Sequence, residues 1–443
     1  MGDHERAVAA LCGQYAAIPT GAPVRLAKST SNLFRFRADH SGGLDVARFD
    51  RVLSVDPRTR TAQVQGMTRY EDLVDATLAH GLMPLVVPQL KTITLGGAVA
   101  GLGIESSSFR NGLPHESVRS LEVLTGSGEV VVVGPEDDLF RGFPNSYGTL
   151  GYALRVELEL EPVHRFVRLT HLPFGDAWSC TDALKAICDE QSFEGTRVDF
   201  IDGVVFSGQE HYLTLGTWMD EAPWTSDYTG NAVYYRSIQR RRTDYLTARD
   251  YLWRWDTDWF WCSRAFGVQH PVVRRLVPKR YLRSDVYRRL VALDRRTGFS
   301  SRVSRVTREP VIQDVEIPVD RVPEFLEFFH REVGIEPVWL CPVKLRDPAG
   351  WPLYPMDSRV LYVNVGFWSS VDLRSDELIG DRNRLIEAEV ARLGGHKSLY
   401  SDSYYTPEDF HEKYNGEHYD DLKRHYDPDG RLPGLYAKCV LRG

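Results

Sequence analysis

Apolar and polar positions change period along the chain, and the changes outline two kinds of architecture. Through residue 160, short apolar runs broken by turn residues predict strands alternating with short helices. Asp45 to Val55 and Ala62 to Val64 read as strand, turn and strand, and Tyr70-Glu71-Asp72-Leu73 opens a helix. Ser120–Thr125 and Val130–Val133 flank Gly126-Ser127-Gly128-Glu129, a hairpin pattern, and Tyr152–Leu160 alternates as a strand. From Arg165 the texture lengthens. Asp176–Gln191 has helical periodicity, Val198–Val205 and His211–Trp218 read as strands, and Ser237–Leu293 reads as mainly helical. Strand alternation returns between Pro310 and Pro318, then comes a helix over Val322–Val333. Strands over Val338–Leu345 and Val360–Phe367 and a helix over Asp381–Leu393 follow. That order predicts an antiparallel sheet with helices on one face, an α+β unit.

Alternation sorts the residues of each late strand onto two faces. Val311, Val315 and Ile317 share one face and Asp314 and Glu316 the other. Taking Lys344 with Leu340 and Pro342, and Asn364 with Tyr362, gives each strand one polar-bearing face: Asp314, Lys344, Tyr362 and Asn364. Such a face is either solvated or turned onto a ligand. Tyr400, Asp402 and Tyr404 in LYSDSYY add polar groups nearby in sequence. Their bland reading is a satisfied surface turn.

A length of 443 residues suggests two domains, and 42% hydrophobic with 11% aromatic residues describes an ordinary globular protein. No run of 18 apolar residues predicts a membrane span. The first 21 residues lack the charged and apolar regions of a secretory signal, so a cytoplasmic location is expected. Six cysteines stand without metal-ligand spacing, so neither disulfides nor a metal site is expected. Net charge is −7, yet residues 236–308 carry 19 Lys/Arg against six Asp/Glu, leaving about −20 for the remainder. Within that block, Trp253, Trp255, Trp259 and Trp261 fall in nine residues. Three readings stand: contact with an anionic lipid surface, core packing of a helical lobe, and nucleic acid. The acidic remainder and the lack of a nucleic-acid fold signature count against the last.

The chemistry concentrates in PLVVPQLKTITLGGAVAGLGIESSSFRNG, residues 84–112. Thr94, Leu95, Gly96, Gly97, Gly101 and Gly103 lead through Ile104 to Ser106, Ser107 and Ser108. Dense glycine lets backbone N–H groups approach anionic oxygens closely. A dinucleotide fingerprint is excluded, because the third glycine and the following ribose-binding acid are missing. The segment resembles the second flavin-contacting loop of the vanillyl-alcohol-oxidase type of FAD fold. In the same order, Lys28-Ser29-Thr30-Ser31-Asn32 occupies the place of the pyrophosphate loop. Gly148-Thr149-Leu150-Gly151-Tyr152 occupies a further loop beside the cofactor. The resemblance implies an FAD-binding domain over 1–165, completed by 400–443. A cap domain over 166–399 would include the basic, Trp-rich lobe 236–308. It also turns the polar face of the cap sheet toward the flavin.

Within that fold, Gly103-Ile104-Glu105-Ser106-Ser107-Ser108, Val311-Ile312-Gln313-Asp314, Trp339-Leu340-Cys341-Pro342 and Leu399-Tyr400-x-Asp402 are similar to the Δ24-sterol reductase branch. That branch implies a reductase in which NADPH reduces FAD and a carbon–carbon double bond of a lipid is saturated. Bacterial relatives reduce a methylene-branched fatty acyl chain. It implies Tyr400 or Tyr404 as proton source, with Asp402, Asp314, Lys344 and Asn364 orienting flavin and substrate. No His or Cys stands suitably in the flavin loops, so FAD is expected to be noncovalent. A lipid substrate also implies a peripheral position at an anionic membrane. An FAD-dependent oxidase or dehydrogenase of an alcohol or sugar alcohol, and a lipid-binding protein without catalysis, remain the alternatives.

Overall fold

The computed structural model describes residues 2–28, 43–297 and 307–441. A short parallel pair, β1 (Leu26–Ala27) and β2 (Leu44–Asp45), precedes the first large sheet. That sheet contains β3 (Val52–Asp56), β4 (Thr61–Gln65), β5 (Leu82–Pro84), β6 (Val118–Thr125), β7 (Val130–Val133) and β8 (Gly151–Pro162). Strand β8 is central, antiparallel to β4, β5 and β6. Its alternation explains the place: Leu154, Val156, Leu158 and Leu160 are buried while Arg155, Glu157 and Glu159 are not. The helix Asp3–Ala16 buries Ala7, Leu11 and Tyr15, and Leu11 and Tyr15 pack with Leu124 and Leu154 of this sheet.

The second sheet draws on β9 (Phe166–Phe174), followed by a two-residue hairpin pair, β10 (Ser192–Phe193) and β11 (Thr196–Arg197), which stands apart. Its remaining strands are β12 (Phe200–Ser207), β13 (Glu210–Met219), β14 (Thr243–Thr247), β15 (Arg308–Pro318), β16 (Val338–Val343), β17 (Tyr362–Asp372) and β18 (His396–Lys397). The order β14-β9-β13-β12-β16-β17-β15-β18 is antiparallel at every step. Helices Ala177–Glu190, Val322–Glu332 and Asp381–Arg392 cover one face, packing Leu184, Phe325, Phe329 and Ile386 on Val311, Val315, Ile317 and Val363. Helices segregated to one face of an antiparallel sheet make this unit α+β. The other face presents Trp339, Cys341 and Tyr362 to the core shared with the first sheet.

The basic lobe departs from the expected helical character. Thr243–Thr247 is a strand that closes one edge of the second sheet through β9. Residues 256–281 are mostly short 3₁₀ and α turns, and the long helix begins only at Ser284. Side-chain packing overrides helical periodicity here. Trp253, Trp255, Trp259 and Trp261 are all buried, with Trp255 stacked on Phe260 at 4.9 Å. Core packing, not an interfacial role, is what these tryptophans do. Two of the lobe's arginines are likewise internal. Arg254 donates to Glu105 (3.0 Å) and Asp202 (2.8 Å), and Arg274 pairs with Asp258 at 2.6 Å. Among the described residues, no helix is long and apolar enough to cross a membrane.

Candidate functional site

The glycine-rich loop approaches the first sheet very closely. A side-chain carbon at Gly96 would lie 2.8 Å from the Gly66 carbonyl oxygen, and one at Gly66 only 2.0 Å from that of Ala153. Backbone N–H groups of Leu95 and Gly96 are used within the protein, donating to Thr68 and Gly66 carbonyls. Gly97 is the exposed member of the run, and its missing side chain would meet only Thr94 Oγ1. Gly101 is buried beneath the Tyr147 ring, and Gly103 is wedged between Pro88 and Pro114. Lys28 is exposed with its ammonium 3.8 Å from Met67 Sδ, and Ser29, Thr30, Ser31 and Asn32 lie outside the described residues.

The serine triplet is placed otherwise than expected. Ser106 Oγ bonds Glu105 (2.6 Å) and Tyr251 (2.7 Å), Ser107 Oγ donates to the Leu85 carbonyl, and Ser108 Oγ accepts from the Glu105 N–H. All three are buried, so their hydroxyls are occupied by the protein instead of open to a pyrophosphate. The IESSS string thus bolts the glycine loop to the aromatic lobe. Glu105 meets Arg254, Ser106 meets Tyr251, and Asp202 accepts from Arg254, Trp255 and Trp339.

A second loop closes over the end of the helix Leu95–Ala100. Asn145 and Tyr147 hold φ of 62° and 51°, unusual for residues with side chains, and Gly148 follows at 75°. Their N–H groups explain the contortion: Asn145 donates to Gly101 and Tyr147 to Ala100. The C-terminal segment braces the same loop. Lys438 Nζ donates to the Tyr147 carbonyl (2.6 Å) and Lys423 Nζ to that of Thr149 (2.7 Å). Gly151 begins β8 with φ 156°, and Tyr152 reaches the Val24 carbonyl at 3.4 Å.

Opposite these loops stands the polar face of the second sheet. Strand register fixes its members: Asp314 lies opposite Gly366, which lies opposite Trp339, and Glu316 opposite Asn364, which lies opposite Cys341. Asn364 Nδ2 donates to Asp314 Oδ1 at 3.2 Å. A side chain at Gly366 would strike Asp314 Oδ1 at 2.5 Å and the Trp368 ring at 2.8 Å, so glycine lets those two groups converge. Trp368 Nε1 donates to the Tyr400 hydroxyl, and that hydroxyl also hydrogen-bonds Asp314. Burial pushes the Asp314 carboxyl up to about 6, against the pull of Asn364 and Tyr400. Burial and the Asp314 charge raise Tyr400 well above a free phenol, and Tyr147 is close enough to add to the effect. The cap cluster and the flavin-type loops therefore meet at Tyr400 and Tyr147.

Lys344 is not part of this face. Register gives Trp339, Cys341 and Val343 the side shared with Asp314, so the lysine, one residue past β16, has the parity of Pro342 and Leu340 and is exposed. The sequence places a residue on a face only relative to its own strand, and β16 had been phased against its neighbours by the wrong parity. Tyr404 packs its ring against Gly380 and the Arg384 guanidinium, and its N–H donates to Glu387. Asp402 offers its carbonyl to Lys397 Nζ at 3.0 Å. Lys397 is fully buried between that carbonyl, Ser403 Oγ and Glu387, whose carboxyl burial raises to about 7. Sequence reasoning missed Gly66, Tyr147, Gly366, Trp368 and Lys397. The glycines within strand pattern were the available signal, since such glycines mark close approach.

An open glycine edge at Gly97 and a buried Asn364 Oδ1 without a partner among the described residues suit a flat heterocycle with N–H donors. The residues fit FAD. The fold and this site define a two-domain α+β flavoprotein, and residues 4–134 match the family model described as an FAD binding domain. Over most of its length the chain is similar to sterol reductases. It is 26% identical to the Delta(24)-sterol reductase of Rattus norvegicus across 87% of this chain and 75% of that protein. With the Arabidopsis thaliana Delta(24)-sterol reductase it is 26% identical across 89% and 76%. A shorter similarity, 33% identity over 143 residues or 31% of this chain, links it to the decaprenylphosphoryl-beta-D-ribose oxidase of Mycolicibacterium smegmatis. The chain is an FAD-dependent oxidoreductase.

Proposed function

We propose that the protein saturates an isolated carbon–carbon double bond in a lipid, with NADPH as the reductant of its FAD. The observation that carries the reading is the hydrogen-bonded group Asp314–Tyr400–Trp368, set on the cap face that meets the glycine loops. Bound FAD supplies hydride to one alkene carbon. The chain supplies the proton for the other. Tyr400 is a weak acid held beside a carboxyl that ionises near 6, so Asp314 can return a proton to the phenol oxygen as Tyr400 releases its own. Trp368 and Asn364 hold the two oxygens in place, and solvent reprotonates Asp314. Lys28 to Asn32, Gly97, Gly101 and the 148–152 loop hold the cofactor noncovalently. The oxidase relative is similar over about a third of the chain, which supports a flavoprotein without deciding the direction of reaction.

The lipid substrate places the enzyme at a bilayer surface. Support comes from the helix Pro271–Leu276 and its flank: Val272, Leu276 and Tyr281 are exposed beside Arg275, Lys279 and Arg280. Apolar tips ringed by cations suit an anionic interface.

Purified protein tests the reading. NADPH should bleach the flavin band without oxygen, and a lipid extract containing the alkene should restore it, with product heavier by two hydrogens. Bleaching by an alcohol and not by NADPH would replace the reductase with the oxidase.

A further inference from the structure

A cavity of about 400 Å³ lies away from the Asp314–Tyr400 cluster, lined by Arg236, Arg240 and Arg264 with Phe206, Tyr235 and Pro337. Several arginines of this lobe have carboxylate partners, among them Arg241 with Asp244, Arg249 with Asp75 and Arg283 with Glu71. The three at the cavity form no ion pair among the described residues, although the charge of Arg236 is felt at Asp258. Arg236 Nε reaches only the Tyr235 hydroxyl at 3.3 Å, and Arg264 only the Glu336 carbonyl at 3.4 Å. Glu336 also lines the cavity, but its carboxylate is 3.4 Å from His330 Nδ1. Three guanidinium groups against one carboxylate leave a net positive, solvent-facing concavity. Guanidinium forks bind phosphate oxygens in pairs, and clustering three of them without partners costs repulsion that an anion relieves.

We propose that this cavity binds a phosphate group carried on an organic ligand. The apolar wall gives the reason for the organic part. Phe206 and Tyr235 are stacked at 6.4 Å, offering a flat surface to a stem or ring next to the charged end. From Tyr235 an unbroken aromatic series continues to Trp261 (6.3 Å) and Trp368 (5.5 Å further), the residue that donates to Tyr400. A phosphate at this place could belong to a lipid headgroup or to a phosphorylated nucleotide. Both share the chemistry that three arginines recognise. The inference concerns binding and stands apart from which reaction the flavin site performs.

The test uses the FAD-loaded protein and the fluorescence of its tryptophans, since Trp261 touches the cavity wall. Octyl phosphate represents the lipid source, adenosine 2′,5′-bisphosphate the nucleotide source, and inorganic phosphate and octyl glucoside the separate parts. At least one organophosphate should bind saturably and more tightly than either part. The Arg240→Ala/Arg264→Ala double variant, altering two exposed residues without ion pairs, should weaken it about 10- to 100-fold, the scale of lost charged hydrogen bonds. Arg242→Ala, exposed in the same basic stretch but outside the cavity, should leave binding unchanged. Tighter binding of octyl phosphate assigns the lipid source, and of the bisphosphate the nucleotide source. The proposal is overturned if neither organophosphate saturates, if inorganic phosphate binds as well as they do, or if Arg242→Ala weakens binding as much as the double variant.

Discussion

Trp368 donates its indole N–H to the Tyr400 hydroxyl oxygen across 2.9 Å. With one lone pair of that oxygen engaged, the phenolic proton is directed elsewhere, toward Asp314 or a substrate carbon. Tyr400→Phe is therefore expected to keep its FAD and lose about 10²–10⁴-fold in the rate at which alkene reoxidises reduced flavin. Trp368→Phe removes the orientation and not the proton, so its loss should be smaller. Single-turnover absorbance traces of the two variants decide this. Full turnover in Tyr400→Phe would remove the tyrosine from the role.

The Asp314 carboxyl has a sharper signature. Its folded-state value of about 6 lies above the ordinary carboxylate range, so the alkene step should slow as pH rises through 6, and Asp314→Asn should be slow with no such inflection. Stability carries the same sign. A carboxyl raised in the folded state stabilises fully only below its unfolded value, and that contribution is lost as pH rises through about 6. Asp314→Asn should thus melt higher than the parent at pH 8 and gain less at pH 4, by scanning calorimetry.

Gly96 and Gly97 separate folding from cofactor contact. A methyl at Gly96 would be 2.8 Å from a backbone carbonyl, so Gly96→Ala should lower the melting temperature. Gly97 faces outward with only the Thr94 hydroxyl near, so Gly97→Val should fold and yet be colourless. Stoichiometric flavin in Gly97→Val would displace the cofactor from this edge. Denaturing the parent protein should release all of its FAD into the filtrate.

Membrane attachment is expected to depend on the 271–281 segment and not on tryptophan. Each basic residue near an anionic surface contributes on the order of 1 kcal/mol, screened within about 8 Å at physiological salt. The protein should sediment with anionic vesicles at low salt and much less at high salt, and Leu276→Glu should weaken this. Tryptophan emission should not shift blue on attachment, because all four lobe tryptophans are already buried. Equal sedimentation with neutral vesicles would refute the electrostatic account.

Much of the fold was legible because period-2 alternation is a local property. The hairpin Val118–Thr125 with Val130–Val133, the long strand β8 and the helix–sheet order of the second unit follow from it. The two faces of β15 were also legible, with Val311, Val315 and Ile317 under helices and Asp314 opposite. What failed was relative phase. Placing Lys344 needed the register between β16 and β17, which is set by tertiary pairing that sequence does not display. The tryptophan run misled for a related reason: composition suggests an interface, whereas partners distant in sequence, such as Trp339 and Trp368 around Phe260, bury it. Ser106–Ser108 looked like ligand donors because their partners, Tyr251 and Leu85, lie elsewhere in the chain.

The strand β15 separates two kinds of heritable change residue by residue. Its odd-numbered valines and isoleucine press on helices, so substitutions there would surface as heat sensitivity with chemistry intact. Asp314 and Glu316, between them, look toward Tyr400 and Tyr354, so changes there would surface as altered turnover in a protein that melts normally or higher. A random library confined to residues 311–317 and sorted for both traits should therefore alternate in phenotype with period two. One strand thereby holds thermal adaptation and catalytic adaptation at neighbouring positions, free to vary separately.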